Sequence, residues 1–256
     1  MWPRVEPALR ELEAPGPRGV VGRGRFNFGM AAPDLARRLP SIAVVRALSQ
    51  SFAVLDAVLS ADGDATYAFD GRWAEDEELA SMDNGSGDEY SIVFSPAGAF
   101  VRGFDHESPM SPYAGEDHEL WPGLVESVPE RFAGQAAEPA FSDEDGFLVA
   151  TVCLWRLHDD PAWRTGDIEF PPEEESTDPD GSDRLFTLLA EGTPGAYCAY
   201  AADYFEVSPD PAAVKDVFEH RPLTDGLVRR LNPHVDLASL TEILGAIGYP
   251  VAGESA

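Results

Sequence analysis

The chain has 256 residues, of which 46 are acidic and 18 basic, so its formal net charge is -28. A charge of this size argues against direct binding to nucleic acid or to an anionic membrane, because both would repel the protein. The charge permits a basic partner, or no partner. Hydrophobic residues make up 44% of the chain, which is enough for a packed core.

The expected compartment is the cytoplasm. No apolar stretch reaches the length of a bilayer span, and the first residues lack the apolar core of a signal peptide. The two cysteines, Cys153 and Cys198, are too few for a disulfide framework. The sequence contains no cofactor motif and no four-ligand spacing, so it predicts neither a cofactor nor a metal site.

Residues 1–29 differ in composition from the rest of the chain. They contain five arginines, three glutamates, many prolines and glycines, and no hydrophobic period. This composition predicts a disordered extension or a translation start at Met30, and a functional basic arm is the alternative. Residues 30–256 are then predicted to form a single domain.

The first predicted element is an amphipathic helix over 41–60, where apolar residues recur at three- or four-residue intervals from Val45 to Leu59. Short runs that carry apolar residues on one face then predict antiparallel strands. The turn residues 83–88 predict a hairpin loop between the second and third of these strands. The predicted strands cover 66–69, 78–82, 89–94 and 100–104.

A polar loop and a short helix over 120–132 are predicted next. The run 147–157 is apolar on both faces, which predicts a central strand with buried Cys153 and Trp155 and a hairpin partner over 163–170. Eight acidic residues and no basic one lie between 167 and 183, so an exposed acidic loop is predicted near 171–183. Four helical regions are predicted near 183–190, 194–206, 211–219 and 224–247.

This order of elements predicts an α+β fold. It has an N-terminal helix, an antiparallel meander sheet and a C-terminal cluster of short helices. The acidic loop separates the part rich in strands from the part rich in helices.

Five segments together resemble an uncharacterised family of soluble bacterial proteins. They are NGSGDEY (84–90), GFDHES (103–108), WPG (121–123), CLWR (153–156) and DPDGS (178–182). The resemblance covers about residues 35 to 250 and implies no catalytic residue. The order of helix and meander also resembles that of SUKH-type immunity proteins of bacterial toxin systems, and this likeness concerns the order of elements alone.

One candidate site lies where a predicted strand ends. Asp105, His106 and Glu107 follow this strand, and a histidine flanked by carboxylates can act as a general base or a metal ligand. Asp88 and Glu89, at the start of the preceding strand, belong to the same candidate set. Solvated charges at a strand end explain these residues without any function.

A second candidate site is a surface that binds a partner. Exposed carboxylates attract a basic protein, and tryptophans can form the centre of an interface, although tryptophans in strands more often belong to the core. The residues predicted for this surface are Trp73, Trp121, Glu173, Glu174, Glu175, Asp178, Asp180 and Asp183.

Three hypotheses about function follow from the sequence. The first is a non-enzymatic binding protein of the immunity type, which neutralises a basic partner. The second is an enzyme of unknown class with a site near Asp105, His106 and Glu107. The third is a housekeeping domain whose acidity reflects only its proteome.

Overall fold

The computed structural model describes residues 30–60, 65–115, 118–172 and 176–253. The predicted extension over 1–29 lies outside these residues. The described residues form eight α-helices and one six-stranded antiparallel sheet, in which the order of the strands follows the chain. The predicted α+β fold is therefore confirmed, with helices before and after a meander sheet.

The bounds of the predicted helix over 41–60 and of the predicted hairpin agree with the structure to within one or two residues. The helices are α1 (Ala32–Arg38), α2 (Ile42–Leu59), α3 (Ala133–Ala136), α4 (Ser182–Glu191), α5 (Pro194–Tyr204), α6 (Pro211–Phe218), α7 (Asp225–Leu231) and α8 (Thr241–Ile247). The strands are β1 (Tyr67–Ala74), β2 (Glu77–Asp83), β3 (Glu89–Ser95), β4 (Gly98–Phe104), β5 (Val152–Leu157) and β6 (Arg164–Thr165).

The two faces of the sheet pack against different parts of the chain. Successive strand residues point to opposite faces, so Tyr90 and Ile92 of β3 join the larger hydrophobic cluster with the helices. Val93, and Phe100 of β4, point to the other face, where a second cluster includes Leu124. Residues 120–150, which we call the cover segment, pack on this second face, so the central strands β3, β4 and β5 are largely buried on both faces.

Helix α2 is the core helix of the fold. It has the length and apolarity of a membrane span, with a mean hydropathy of 1.6, so the expectation that no apolar stretch is long enough is wrong. Of this helix, 83% is buried inside the protein, as in the core helix of a soluble protein. Its polar side chains are satisfied there, since Ser49 and Ser51 donate to carbonyls one turn earlier and Gln50 donates to the Ile247 carbonyl.

Asp56 of α2 joins three elements at a fully buried position. Its Oδ2 accepts hydrogen bonds from the backbone N–H of Thr66 (3.0 Å) and Tyr67 (2.9 Å), and its Oδ1 accepts one from the Tyr197 hydroxyl at 2.6 Å. The carboxylate therefore fixes the start of β1 and helix α5 against α2.

We expect Asp56→Asn to flatten the dependence of stability on pH. Burial raises the pKa of Asp56 from 3.8 to about 6, against the opposing effect of its three hydrogen bonds. An acid whose pKa is raised in the folded state contributes stability that is complete below its pKa in the unfolded state. This stability is lost as the pH rises through its pKa in the folded state. Between about pH 4 and pH 6 the parent should lose about 2–3 kcal/mol more than the variant, measured by urea unfolding.

The matched control is Asp76→Asn, which changes an exposed aspartate in the turn between β1 and β2. The stability of this variant should depend on pH in the same way as the stability of the parent. A stability difference between parent and Asp56→Asn that stays constant across this pH range would contradict the prediction.

The segment that covers the second face is irregular. The helix predicted over 120–132 is wrong, because the segment consists of turns and one short 3-10 helix, Glu130–Phe132. Gly123 has φ 88°, which a helix does not allow, and its backbone lies against that of Asp167. The apolar residues that suggested a helix, Leu124 and Phe132, are buried against the sheet.

Two predictions for the last strands need correction. The predicted central strand over 147–157 begins only at Val152, and Phe147 is 59% exposed. Its predicted partner over 163–170 is reduced to Arg164–Thr165, because Gly166 lies against the backbone of Gly123 instead of continuing the ladder. The predicted burial of Cys153 and Trp155 is confirmed, since they are 0% and 3% exposed.

Candidate functional site

A cluster of charged residues lies at one end of the β3–β4 hairpin. Glu89 pairs with Phe104 in this hairpin, so the next residue outward on each side, Asp88 and Asp105, face each other. Both carboxylates point to the face that packs on the helices, as Tyr90 does, and both residues are at most 2% exposed. Glu89 points to the other face and pairs with Arg102 at 2.7 Å.

Asp88 is held by hydrogen bonds from three sides. Its Oδ1 lies 2.7 Å from His106 Nδ1 and 3.1 Å from the His106 backbone nitrogen, and its Oδ2 accepts from Asn84 Nδ2 at 2.9 Å. Burial by itself raises the pKa of Asp88, but these hydrogen bonds and the charge of Arg184 outweigh it and lower the pKa. A buried carboxylate therefore orients an imidazole that is 42% exposed.

Arg184, in the first turn of α4, supplies the positive charge of the cluster. Its guanidinium lies 3.4 Å from Asp88, 3.3 Å from Asp105 and 3.0 Å from Glu107. One cation thus faces three carboxylates, and the cluster stays negative. We call Asp88, Asp105, His106, Glu107 and Arg184 the carboxylate cluster.

The end of the predicted acidic loop is buried next to this cluster. Asp180 is 0% exposed and accepts from the backbone N–H of Ala32 at 2.7 Å and of Ser182 at 2.9 Å. Burial raises its pKa to about 6, although both hydrogen bonds lower it. The Thr151 hydroxyl donates to the Asp180 carbonyl and accepts from the Asp105 backbone N–H, which ties the loop to the end of β4.

The prediction of an exposed loop is therefore wrong for Asp180 and incomplete for its neighbours. Asp178 is half-buried and accepts from the backbone N–H of Asp183 and Arg184 at the start of α4, and burial raises its pKa. Asp183 is also half-buried. Backbone donors take the place of the basic side chains that the loop lacks. The prediction for Glu173, Glu174 and Glu175 lies outside the described residues.

A cavity of about 330 Å³ opens beside the carboxylate cluster. Three tyrosines line it, and we call it the tyrosine pocket. Tyr200 and Tyr204 of α5 stack with ring centroids 5.4 Å apart, and Tyr67 of β1 packs against Tyr200 in a T-shaped arrangement at 5.4 Å. Helix α4 supplies the opposite wall, with Arg184 near its first turn and Glu191 at its end. The pocket is aromatic on the α5 side, and on the α4 side Arg184 and Glu191 flank the apolar Leu185 and Leu188.

The predicted tryptophans lie elsewhere. Trp73 is half-buried in the edge strand β1, and Trp121 is half-buried in the cover segment, where its Nε1 donates to the Glu169 carbonyl at 2.9 Å. Neither lines the tyrosine pocket. The structure therefore does not bring them together with the carboxylate cluster.

Of the residues predicted at the strand end, the structure brings together Asp88, Asp105, His106 and Glu107, and it places Glu89 on the opposite face. Sequence reasoning missed Arg184 and the tyrosines of α5. The pairing of the hairpin predicts that Asp88 and Asp105 face each other, and Arg184 is the first basic residue after the acidic run. Nothing in the local sequence links α5 to this site.

The cluster has two chemical capacities. A half-exposed imidazole oriented by a buried carboxylate can take up a proton. Asp88, Asp105 and His106 also offer ligand atoms within 4.8 Å of one another, a set that can hold a cation. Asp105 and His106 are adjacent, and they converge because the strand has ended at Phe104. A metal ion would compete there with Arg184, which already lies against both aspartates.

Comparisons of the chain with protein-family models, with curated proteins and with solved structures gave no significant match.

Proposed function

We propose that this chain is a non-enzymatic binding protein of the immunity type, which acts in the cytoplasm and neutralises a basic protein partner. The observation that carries the proposal is the excess of 46 acidic over 18 basic residues. Opposite charge on a partner attracts it over a distance and raises the rate of association.

The ion pairs of the described residues support this proposal. Most of the basic side chains that the structure describes form ion pairs within the chain, including the single lysine, Lys215, and Arg229 and Arg230 of α7. They compensate few of the exposed acids. Glu191, Asp203 and Glu206 are exposed near the tyrosine pocket and along the end of α5, where a partner can reach them.

The test measures association with each basic protein that is encoded beside the gene of this chain. Stopped-flow tryptophan fluorescence gives the association rate between about 25 and 300 mM salt. We expect one such protein to form a saturable complex and its rate to fall about tenfold or more across this range. Absence of a complex with any of them at the lowest salt contradicts the proposal.

A matched pair of charge variants locates the contact. Glu191→Gln, Asp203→Asn and Glu206→Gln together remove three exposed charges, one that lines the pocket and two near the end of α5. Glu130→Gln, Glu144→Gln and Asp145→Asn remove three exposed charges from the cover segment on the other face. We expect the first triple variant to slow association several-fold more than the second. Equal effects would mean that the attraction is not local to the pocket.

Catalysis at the carboxylate cluster is a second candidate, favoured by the 2.7 Å contact between Asp88 and His106. A carboxylate that orients an exposed imidazole is the arrangement of a general base. No serine or cysteine side chain bonds to His106 among the described residues, so water or a substrate group would be deprotonated. Hydrolysis of a panel of carboxylate and phosphate esters about 100-fold faster than by His106→Gln would support catalysis, and equal rates would exclude it.

A further inference from the structure

The tyrosine pocket has the features of a site for a cationic side chain, an inference that rests on the proposed function. Its volume lies at the lower end of the range for pockets that hold small ligands. Ala196 and Ala199 of α5 line it, and their small side chains leave the space between α4 and α5 open. The Tyr204 ring is 44% exposed, so an incoming group can reach it.

The aromatic wall is suited to a positive charge. The face of an aromatic ring is electronegative and attracts a cation that lies within about 6 Å of its centre. Burial raises the pKa of Tyr67 and of Tyr200, so both are neutral phenols. The Tyr204 ring stacks on Tyr200 at an interplanar angle of 17°, and this packing holds it in place.

Helix α4 adds a carboxylate, that of Glu191, to the lining of the pocket. Glu191 is exposed at the end of α4, and none of the ion pairs of the described residues includes it. Arg184 lines the same cavity, but three carboxylates surround it, so its charge is compensated. Asp88, which also lines the cavity, is one of these three carboxylates.

We infer that the tyrosine pocket receives an arginine side chain of the basic partner, stacked on Tyr204 and paired with Glu191. The planar guanidinium fits this site better than an ammonium, because it stacks on a ring and donates two parallel hydrogen bonds to a carboxylate. The chain's own net charge of -28 selects the partner that presents this arginine.

The test titrates N-acetyl-arginine-N-methylamide into the full chain at about 150 mM salt, where screening limits unspecific attraction. The readout is the NMR signal of tyrosine rings carrying carbon-13. We expect saturable shifts of the Tyr200 and Tyr204 signals. The citrulline analogue has the same shape without the charge and should bind about tenfold more weakly or worse, and the lysine analogue should fall between the two.

Variants separate the pocket from the rest of the acidic surface. Tyr204→Leu and Glu191→Gln should each weaken binding of the arginine probe by about 3- to 30-fold. Ala199→Trp should fill the cavity and abolish binding, while its unchanged circular dichroism shows that the fold is kept. The control is Tyr113→Leu, since Tyr113 is a similarly exposed tyrosine outside the pocket, and it should bind like the parent.

Two results of the titration overturn the inference. One is the absence of saturable shifts at Tyr200 and Tyr204, and the other is a citrulline analogue that binds as well as arginine. If the basic partner still binds Tyr204→Leu as it binds the parent, the pocket is not used and the proposed function stands. If the probe binds but no basic protein does, the proposed function fails, and with it the partner assigned to the pocket.

Discussion

Replacing Gly181 with alanine should destabilise the protein by about 2–4 kcal/mol. Gly181 precedes helix α4 with φ 80°, a conformation that alanine adopts only with strain. A Cβ atom at this position would lie 2.3 Å from Asp105 Cβ and 2.6 Å from its Oδ2. Asp105 is buried, so its side chain cannot move out into solvent to make room for the added methyl group. Alanine must therefore displace α4, and Arg184 with it, from the carboxylate cluster.

Urea unfolding measures this loss as a lower midpoint with an unchanged slope. The control is Gly195→Ala, because Gly195 lies in the first turn of α5 with no atom within 4 Å of its added Cβ and has no positive φ. That variant should be as stable as the parent or slightly more stable. A Gly181→Ala protein within about 0.5 kcal/mol of the parent would show that the turn before α4 relaxes without strain.

The parts of the fold that could be predicted are those whose pattern is local. The period of α2 is visible from Val45 to Leu59 because one face of the helix is more apolar than the other. The hairpin between β2 and β3 is marked by its turn residues, and Gly85 and Gly87 do have positive φ there. Helix α1 was not predicted, because its seven residues are too few to show a period.

The cover of the second sheet face could not be predicted in the same way. Its apolar residues, such as Leu124 and Phe132, are spaced as in a helix but are buried by separate turns. Which conformation such a segment adopts depends on the shape of the sheet surface beneath it, and that surface is formed by residues far away in the chain.

The candidate site was predictable only where the sheet determines it. The hairpin register makes Asp88 and Asp105 neighbours. The position of Arg184 depends on how α4 packs on Gly103. Because Gly103 has no side chain, Phe186 of α4 can lie close to the strand. The burial of Asp180 was missed because a run of acidic residues predicts exposure, whereas the N–H groups of Ala32 and Ser182 satisfy this carboxylate inside the protein.

Trp155→Ala should cost about 3–5 kcal/mol, the usual loss for a large aromatic side chain deleted from a core. Trp155 is 3% exposed and faces Phe100 across the β4–β5 pair, in the cluster on the second face of the sheet. The cover segment has little regular structure of its own, so packing against this cluster is what holds it on the sheet. Removing the indole should therefore weaken the packing of the cover segment on the sheet more than the packing of the helices on the other face.

Two measurements check this expectation together. Urea unfolding gives the loss of stability, and limited proteolysis under native conditions reports opening of the cover, which should be cleaved within 120–150 faster than in the parent. The control is Trp73→Ala, because Trp73 is half-buried in the edge strand β1 and its loss should cost clearly less. If Trp155→Ala is as stable as the parent, the second cluster does not hold the cover. If stability falls but cleavage within 120–150 does not increase, the cover segment and the helices on the other face unfold as one unit.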